Sequence, residues 1–163
     1  MNGKVDIMPT AIREAAISDI EALVLCHARF MDHHIAGDRR FSLKAGAEDK
    51  WSELISEAVK NPDDLVLVAD DKGLIVGCAY VIIKSGALDF GPDKIGYLCD
   101  VYVYPEYRHQ GIARSFLTAA QKWLIEKDIH IIEANWSVHS AKAQKTWLSL
   151  GFLPFSTTGQ LEF

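Results

Sequence analysis

Apolar positions along the chain recur with two different periods, and the switches between them mark out the elements. Ile20, Leu23, Val24, His27, Phe30 and Met31 fall at helical spacing and predict a helix with one buried face. Ser18, with Glu21 three residues on, has capping-box spacing and sets its start. A polar stretch dotted with aromatics covers 32–46, and a second helix is predicted over 47–60, with Trp51, Leu54, Ile55, Ala58 and Val59 facing inward. Asn61-Pro62 stops it, because proline cannot extend a helix and disfavours helical geometry just before itself. The apolar runs 65–69 and 74–83 flank a tight turn at 70–73 and read as an antiparallel hairpin. After a loop holding Gly86, Gly91 and Pro92, a third strand is predicted over 95–104. A helix over 111–126 carries the stripe Ile112, Phe116, Ala119, Ala120 and Trp123. A strand over 129–136 precedes a last helix, capped by Ser140 and lined by Ala143, Trp147 and Leu150, with Gly151 as its left-handed terminator. Short strands over 8–13, 152–155 and 160–163 complete the pattern.

This order is an α/β mixture with a mostly antiparallel front half, and the strand–helix–strand unit over 95–136 is expected to be a right-handed parallel crossover. A length of 163 residues without repeats or low-complexity linkers suits one domain. Hydrophobic residues make up 49% and charged residues 24%, an ordinary soluble balance, and no run approaches the ~20 apolar residues of a membrane span. The first residues lack a basic cap followed by an apolar run, so the expected location is the cytoplasm. Cys26, Cys78 and Cys99 are scattered, form no CxxC pair and read as buried small hydrophobes. A net charge of −5 argues against nucleic acid as a partner and admits a cationic substrate.

The chemistry points to one turn. A strand ends at Tyr104, the chain turns through Arg108-His109-Gln110-Gly111, and a helix begins at once. The first turn of a helix has N–H groups without internal partners and carries partial positive charge. Ala113 keeps the next position small, while Arg108, His109 and Arg114 can add donors around the mouth. The segment therefore suits a pyrophosphate cradle, although a plain strand–helix turn has the same spacing. Neither GxxxxGK[ST] nor GxGxxG occurs, which removes the P-loop and the dinucleotide fingerprint.

Residues 102–113 resemble the signature of the GNAT superfamily of acyl-CoA-dependent N-acetyltransferases. Arg108, Gly111 and Ala113 match the R/Q-x-x-G-x-G/A core, and Val103, Pro105, Tyr107 and Arg108 match the preceding V-x-P-x-Y-R. Ser140, Ala143, Trp147, Gly151 and Phe152 fall on the spacing of the family's last helix, with serine for the usual asparagine and tryptophan for the usual tyrosine. The resemblance implies a mixed, mostly antiparallel sheet of about seven strands flanked by four helices, with a splayed parallel strand pair. It implies acetyl-CoA as acyl donor, with no metal. Its pantetheine arm would pair with backbone near Val101 and Val103, and its pyrophosphate would sit on N–H groups of His109, Gln110, Gly111, Ile112, Ala113 and Arg114. Ser140 would cap the last helix or touch pantetheine. A backbone N–H near Tyr102 would hold the oxyanion, and the amine of a small molecule or peptide would attack directly. Asp100 is the first candidate base, Glu133 the second. Phe30, His34 and Phe41 would border the acceptor, since in related folds this region closes over it. Trp147 is no practical acid, which leaves Tyr102 and Tyr104 as substitutes. A non-catalytic acyl-CoA-binding or sensing domain is the alternative reading, and a homodimer is compatible with either. His33-His34 has no third metal ligand in view.

Overall fold

The run Leu65–Ala69 shows no alternation because it is buried on both faces. The structure, a computed structural model, describes residues 10–37 and 42–161. In it the sheet order is β1 (Ala11–Glu14), β2 (Asp64–Asp71), β3 (Leu74–Ser85), β4 (Lys94–Val103) and β5 (Ile132–Ala134). All neighbours pair antiparallel except β4 and β5, which run parallel. Leu65, Leu67 and Ala69 join one core with Ile112, Phe116 and Ala120 of α3 (Ile112–Ile125). Val66 and Val68 join a second core with Leu23 and Cys26 of α1 (Ile20–Gly37) and Ile55 and Ala58 of α2 (Ala47–Ala58). The helices thus cover both faces of the central hairpin. A fourth helix, α4 (Ala141–Ser149), follows β5 and has no fully buried residue. Gly96 lies beneath α3 so closely that a Cβ there would come within 2.4 Å of Leu124 Cδ1.

Three predicted features differ. The sheet has five strands among the described residues, not about seven. Residues 152–161 form no strand, and Leu153, Phe155 and Leu161 are exposed. Pro154 removes a ladder donor, and β5, three residues long, offers little edge to pair with. The strand predicted over 129–136 shrinks to β5 because its first part ends α3 instead. Ile129 N–H donates to Leu124 O and Asp128 N–H to Ile125 O, with Asp128 left-handed at φ 60°, a Schellman closure. Finally, α1 runs on through Gly37, and its start is organised by Asp19 rather than Ser18 and Glu21. The Asp19 carboxylate accepts from Ala16 N–H (2.7 Å) and from both terminal nitrogens of Arg13 (2.7 and 3.0 Å), which itself reaches Asp70 on β2 (2.9 Å). The Arg13 guanidinium and this backbone N–H hold the Asp19 carboxyl below the usual carboxylate range against its burial.

Candidate active site

The site begins at a β-bulge. Consecutive residues Tyr80 and Val81 of β3 oppose Asp100 and Leu98, so Cys99 is the extra residue on β4. Bulges bend a strand and re-aim its side chains. Pairing with β5 ends at the same place, Leu98 opposite Ala134. From Cys99 to Val103, β4 therefore has no strand partner on its β5 side among the described residues, and a gap opens there in the sheet. Tyr104 N–H donates to Val76 O at 2.9 Å, and in an antiparallel ladder successive residues turn their polar groups to opposite sides. Tyr102 accordingly pairs toward β3, while Val101 and Val103 face the gap. The Tyr102 N–H, near which the oxyanion contact was expected, is thus turned toward β3, and the amides that face the gap are those of its neighbours. The Tyr102 ring is buried, and Arg108 folds back to donate from Nε to Val103 O at 2.9 Å. Burial pushes the Tyr102 and Tyr104 phenols above their ordinary range, which makes each a poorer proton donor.

At the end of this gap stands the start of α3. The helix N-cap is Gly111 at φ 84° and ψ 0°, with no side chain capping the first turn. An L side chain at such φ is strained. His109 is also left-handed, at φ 63°, on the other side of Gln110. A non-glycine residue there costs about 1–2 kcal/mol, and such sequences of backbone conformations make anion-binding nests of N–H groups. The helix dipole adds about half a positive charge. Ile112 anchors the turn in the core and contributes only its amide outward. Ala113 is half-buried, and Gln110 Nε2 donates to Glu106 O at 3.3 Å. Arg114 spans to α4, donating to Ser149 O at 2.8 Å. Across the gap, Ser140 Oγ accepts from Ala143 N–H and caps α4. A Schellman closure at Gly151 (Phe152 N–H to Trp147 O, Gly151 N–H to Leu148 O) sets Trp147 edge-on to Phe152 at 5.1 Å. The Trp147 ring also lies nearly parallel to Trp136, centroids 6.2 Å apart. It packs; its N–H is no acid.

The other mouth of the gap, on the α1 and α2 face, is acidic and aromatic. Asp100 Oδ2 lies 3.6 Å from Nδ1 of His27, and their side chains are 18% and 15% exposed. Trp51 of α2 stacks on the His27 ring at 4.1 Å. Phe30 lies 6.1 Å from that ring and contacts His34 edge-on at 4.3 Å. Burial, followed by the charge of His33, lowers the His34 imidazole, with Asp100 opposing. Tyr80, opposite Asp100 on β3, donates to Asp64 Oδ2 at 3.4 Å. Burial, then Asp100, pushes the Cys99 thiol up to about 12. Asp100, Phe30 and His34 are thus together, whereas Phe41 lies outside the described residues. Glu133 is held by Lys84 at 3.1 Å, whose ammonium also lies over the Tyr97 ring, so its charge is already matched. The sequence placed His27 and Trp51 on the inner faces of their helices but assigned neither to the site. The signal was a histidine among apolar neighbours, which packing alone also explains. A 570 Å³ groove between the starts of α1 and α2, lined by Ile17, Glu21, Val24, Leu25 and Ser52, contains no residue of β4 or α3.

Comparison with known proteins agrees with this geometry. The profile of the Acetyltransferase (GNAT) family matches residues 30–152. No functionally curated protein matches the sequence. Among solved structures, the apo aminoglycoside 6'-N-acetyltransferase of Acinetobacter haemolyticus superposes with a TM-score of 0.76 at 14% identity, over 94% of this chain and 97% of that one. An aminoglycoside N-acetyltransferase bound to the bisubstrate analogue CoA-S-monomethyl-acetylneamine gives 0.77 at 18% identity, over 96% and 99%. A predicted acetyltransferase of Clostridium acetobutylicum bound to acetyl-CoA gives 0.76 at 19% identity, over 94% and 96%. At these identities the structural likeness speaks for the fold, and the profile covers most of the chain: the protein belongs to the GNAT acetyltransferase family.

Proposed function

We propose that this protein transfers the acetyl group of acetyl-CoA to a primary amine of a small cationic acceptor by direct attack. One observation carries the reading: the gap between β4 and β5 joins an uncapped helix start on one face of the sheet to Asp100 on the other. The pyrophosphate suits the N–H groups of residues 109–114, and pantetheine suits the open backbone of Val101 and the N–H of Val103, whose carbonyl is taken by Arg108. The thioester then lies near the bulge, within reach of an amine arriving from the α1 side.

Asp100 takes a proton from the ammonium, and the free amine attacks the carbonyl carbon. The new C–N bond forms, and an amide of Val101 or Val103 stabilises the oxyanion. The C–S bond breaks as the sulfur gains a proton. Trp147 cannot give that proton, and Tyr102 and Tyr104 are poor donors. A thiol of pKa about 8.5 is a good enough leaving group for solvent or the attacking nitrogen to supply it. Asp100 and Asp64, set among Trp51, Phe30 and Tyr80, favour a cation over a neutral acceptor. The solved aminoglycoside acetyltransferases act on acceptors of that character.

The test is release of CoA thiol from acetyl-CoA with a panel of diamines, polyamines, aminoglycosides and amino-acid amides. Turnover with at least one cationic amine is expected. Tight acetyl-CoA binding with no turnover across the panel would instead favour the non-catalytic domain.

A further inference from the structure

Among the described residues, Nδ1 of His27 is the single buried side-chain nitrogen or oxygen without a hydrogen-bond partner. The nearest counter-charge is Asp100 Oδ2 at 3.6 Å, just beyond hydrogen-bond range. Stacking on Trp51 at 4.1 Å with an interplanar angle of 10° fixes the ring so that this nitrogen stays beside the carboxylate. Buried polar atoms are nearly always satisfied, so one left open beside the candidate base is a feature to explain.

We propose that His27 is the proton-relay partner of Asp100 in acyl transfer, an inference that rests on the acetyltransferase reading above. A carboxylate is a much weaker base than an alkyl amine, and an imidazole lies about two to three pKa units closer. The first proton leaves the ammonium for Asp100 and passes to Nδ1 of His27, leaving an imidazolium–carboxylate pair. The amine attacks, and the nitrogen's second proton goes to the CoA sulfur as the C–S bond breaks. The imidazolium returns its proton to solvent between turnovers, so one ammonium and one thioester give one amide, one thiol and one proton.

Other titratable groups under the influence of Asp100 are His34 on α1, Cys78 and Tyr80 on β3, and Tyr97 and Cys99 on β4, while α2 contributes the indole of Trp51. The thiols and phenols are pushed upward and stay neutral through the physiological range. Within this set His34 is the competing imidazole.

The experiment is the pH profile of kcat/KM for an accepted amine at saturating acetyl-CoA, in wild type, H27N, H34N, D100N and H27N/D100N. The wild type should show an acid limb that H34N keeps and H27N loses. In H27N kcat at pH 7 should fall about 10- to 100-fold, with the KM for acetyl-CoA within two-fold. The double variant should be no worse than about three-fold below the poorer single one. The amide that H27N introduces can still donate a hydrogen bond to Asp100, so a merely structural role predicts an unchanged limb. A limb that persists in H27N overturns the relay, as does full additivity in the double variant. H27Q replaces H27N if the latter loses its thermal stabilisation by acetyl-CoA. Failure of the broader reading looks different, since wild type itself then releases no CoA, and it removes the relay as well.

Discussion

Gly111 is held at φ 84° although nothing stands within 4 Å of where a Cβ would be, so conformation rather than crowding demands glycine there. G111A should cost about 1–2 kcal/mol if the turn is kept. If the turn instead relaxes, the N–H groups lose their common focus. Either way the Kd for acetyl-CoA measured by calorimetry should rise ten-fold or more, and unchanged affinity would remove the cradle from this turn. Cys99 makes a second residue-scale case. With its thiol pushed up to about 12, the thiolate fraction at pH 8 is minute, and the thiolate is the reactive species. Iodoacetamide at pH 8 should modify it about a thousand times more slowly than a free thiol, by mass spectrometry of digested protein. The Asp19 carboxyl gives a pH signature. Its folded pKa lies below the ordinary carboxylate value, so its contribution to stability is present above pH ~4 and disappears as pH falls through the depressed value. D19N should be less stable than wild type at pH 7, with the two acid-unfolding curves converging toward pH 2. A constant separation between those curves would contradict the assignment.

At the level of elements, α3 and α4 are linked through Arg114 and the Ser149 carbonyl but are secured very differently. Phe116, Leu117, Ala120 and Leu124 of α3 are buried, whereas α4 is tied by half-buried Trp147 and by Arg114 to Ser149 O. Segments with few buried contacts open at low free-energy cost. Amides of α4 should therefore exchange hydrogen much faster than those of α3, and bound acetyl-CoA should slow α4 selectively. Equal protection of both helices without ligand would refute this. The same contrast explains what the sequence made legible. The elements α1, α2, α3 and the β2–β3 hairpin were readable from periodicity, although Leu54, expected to face inward on α2, is 48% exposed, and the left-handed turn into α3 was readable from its residues and its motif. The length of β5 was not, because Ile129 is as apolar as a strand residue yet serves to close α3. The closing strand over 152–155 was not, because strand propensity cannot say whether a partner edge exists, and half of the one expected over 160–163 lies outside the described residues. The His27–Asp100 pair was not, because it depends on the bulge at Cys99 aiming Asp100 toward α1, and a bulge is a property of pairing between strands.

For the molecule as a whole, the proposed cofactor is a polyanion and the chain carries a net charge of −5, so overall charge does not favour its approach. Arg108 and Arg114, the two arginines nearest the turn, each give one N–H to a backbone carbonyl, and the proposed pyrophosphate contacts are the oriented N–H groups of the turn itself. Such contacts act only at short range and require the turn, the open β4 edge and α4 to be assembled together. A ligand that binds only the assembled state stabilises it by RT ln(1 + [L]/Kd), about 2.7 kcal/mol at a hundred times Kd. For a domain of this size each kcal/mol moves Tm by about 2–4 °C, so acetyl-CoA at that excess should raise Tm by about 5–10 °C. Free CoA shares the pyrophosphate and pantetheine contacts and should give nearly the same rise, while acetate alone should give none. In G111A a ten-fold loss of affinity should cut the stabilisation at the same concentration by about 1.3 kcal/mol, roughly halving the rise in Tm. Differential scanning fluorimetry with the three ligands reads all of this at once. A Tm indifferent to millimolar acetyl-CoA and CoA would mean that the gap between β4 and β5 is not a cofactor channel.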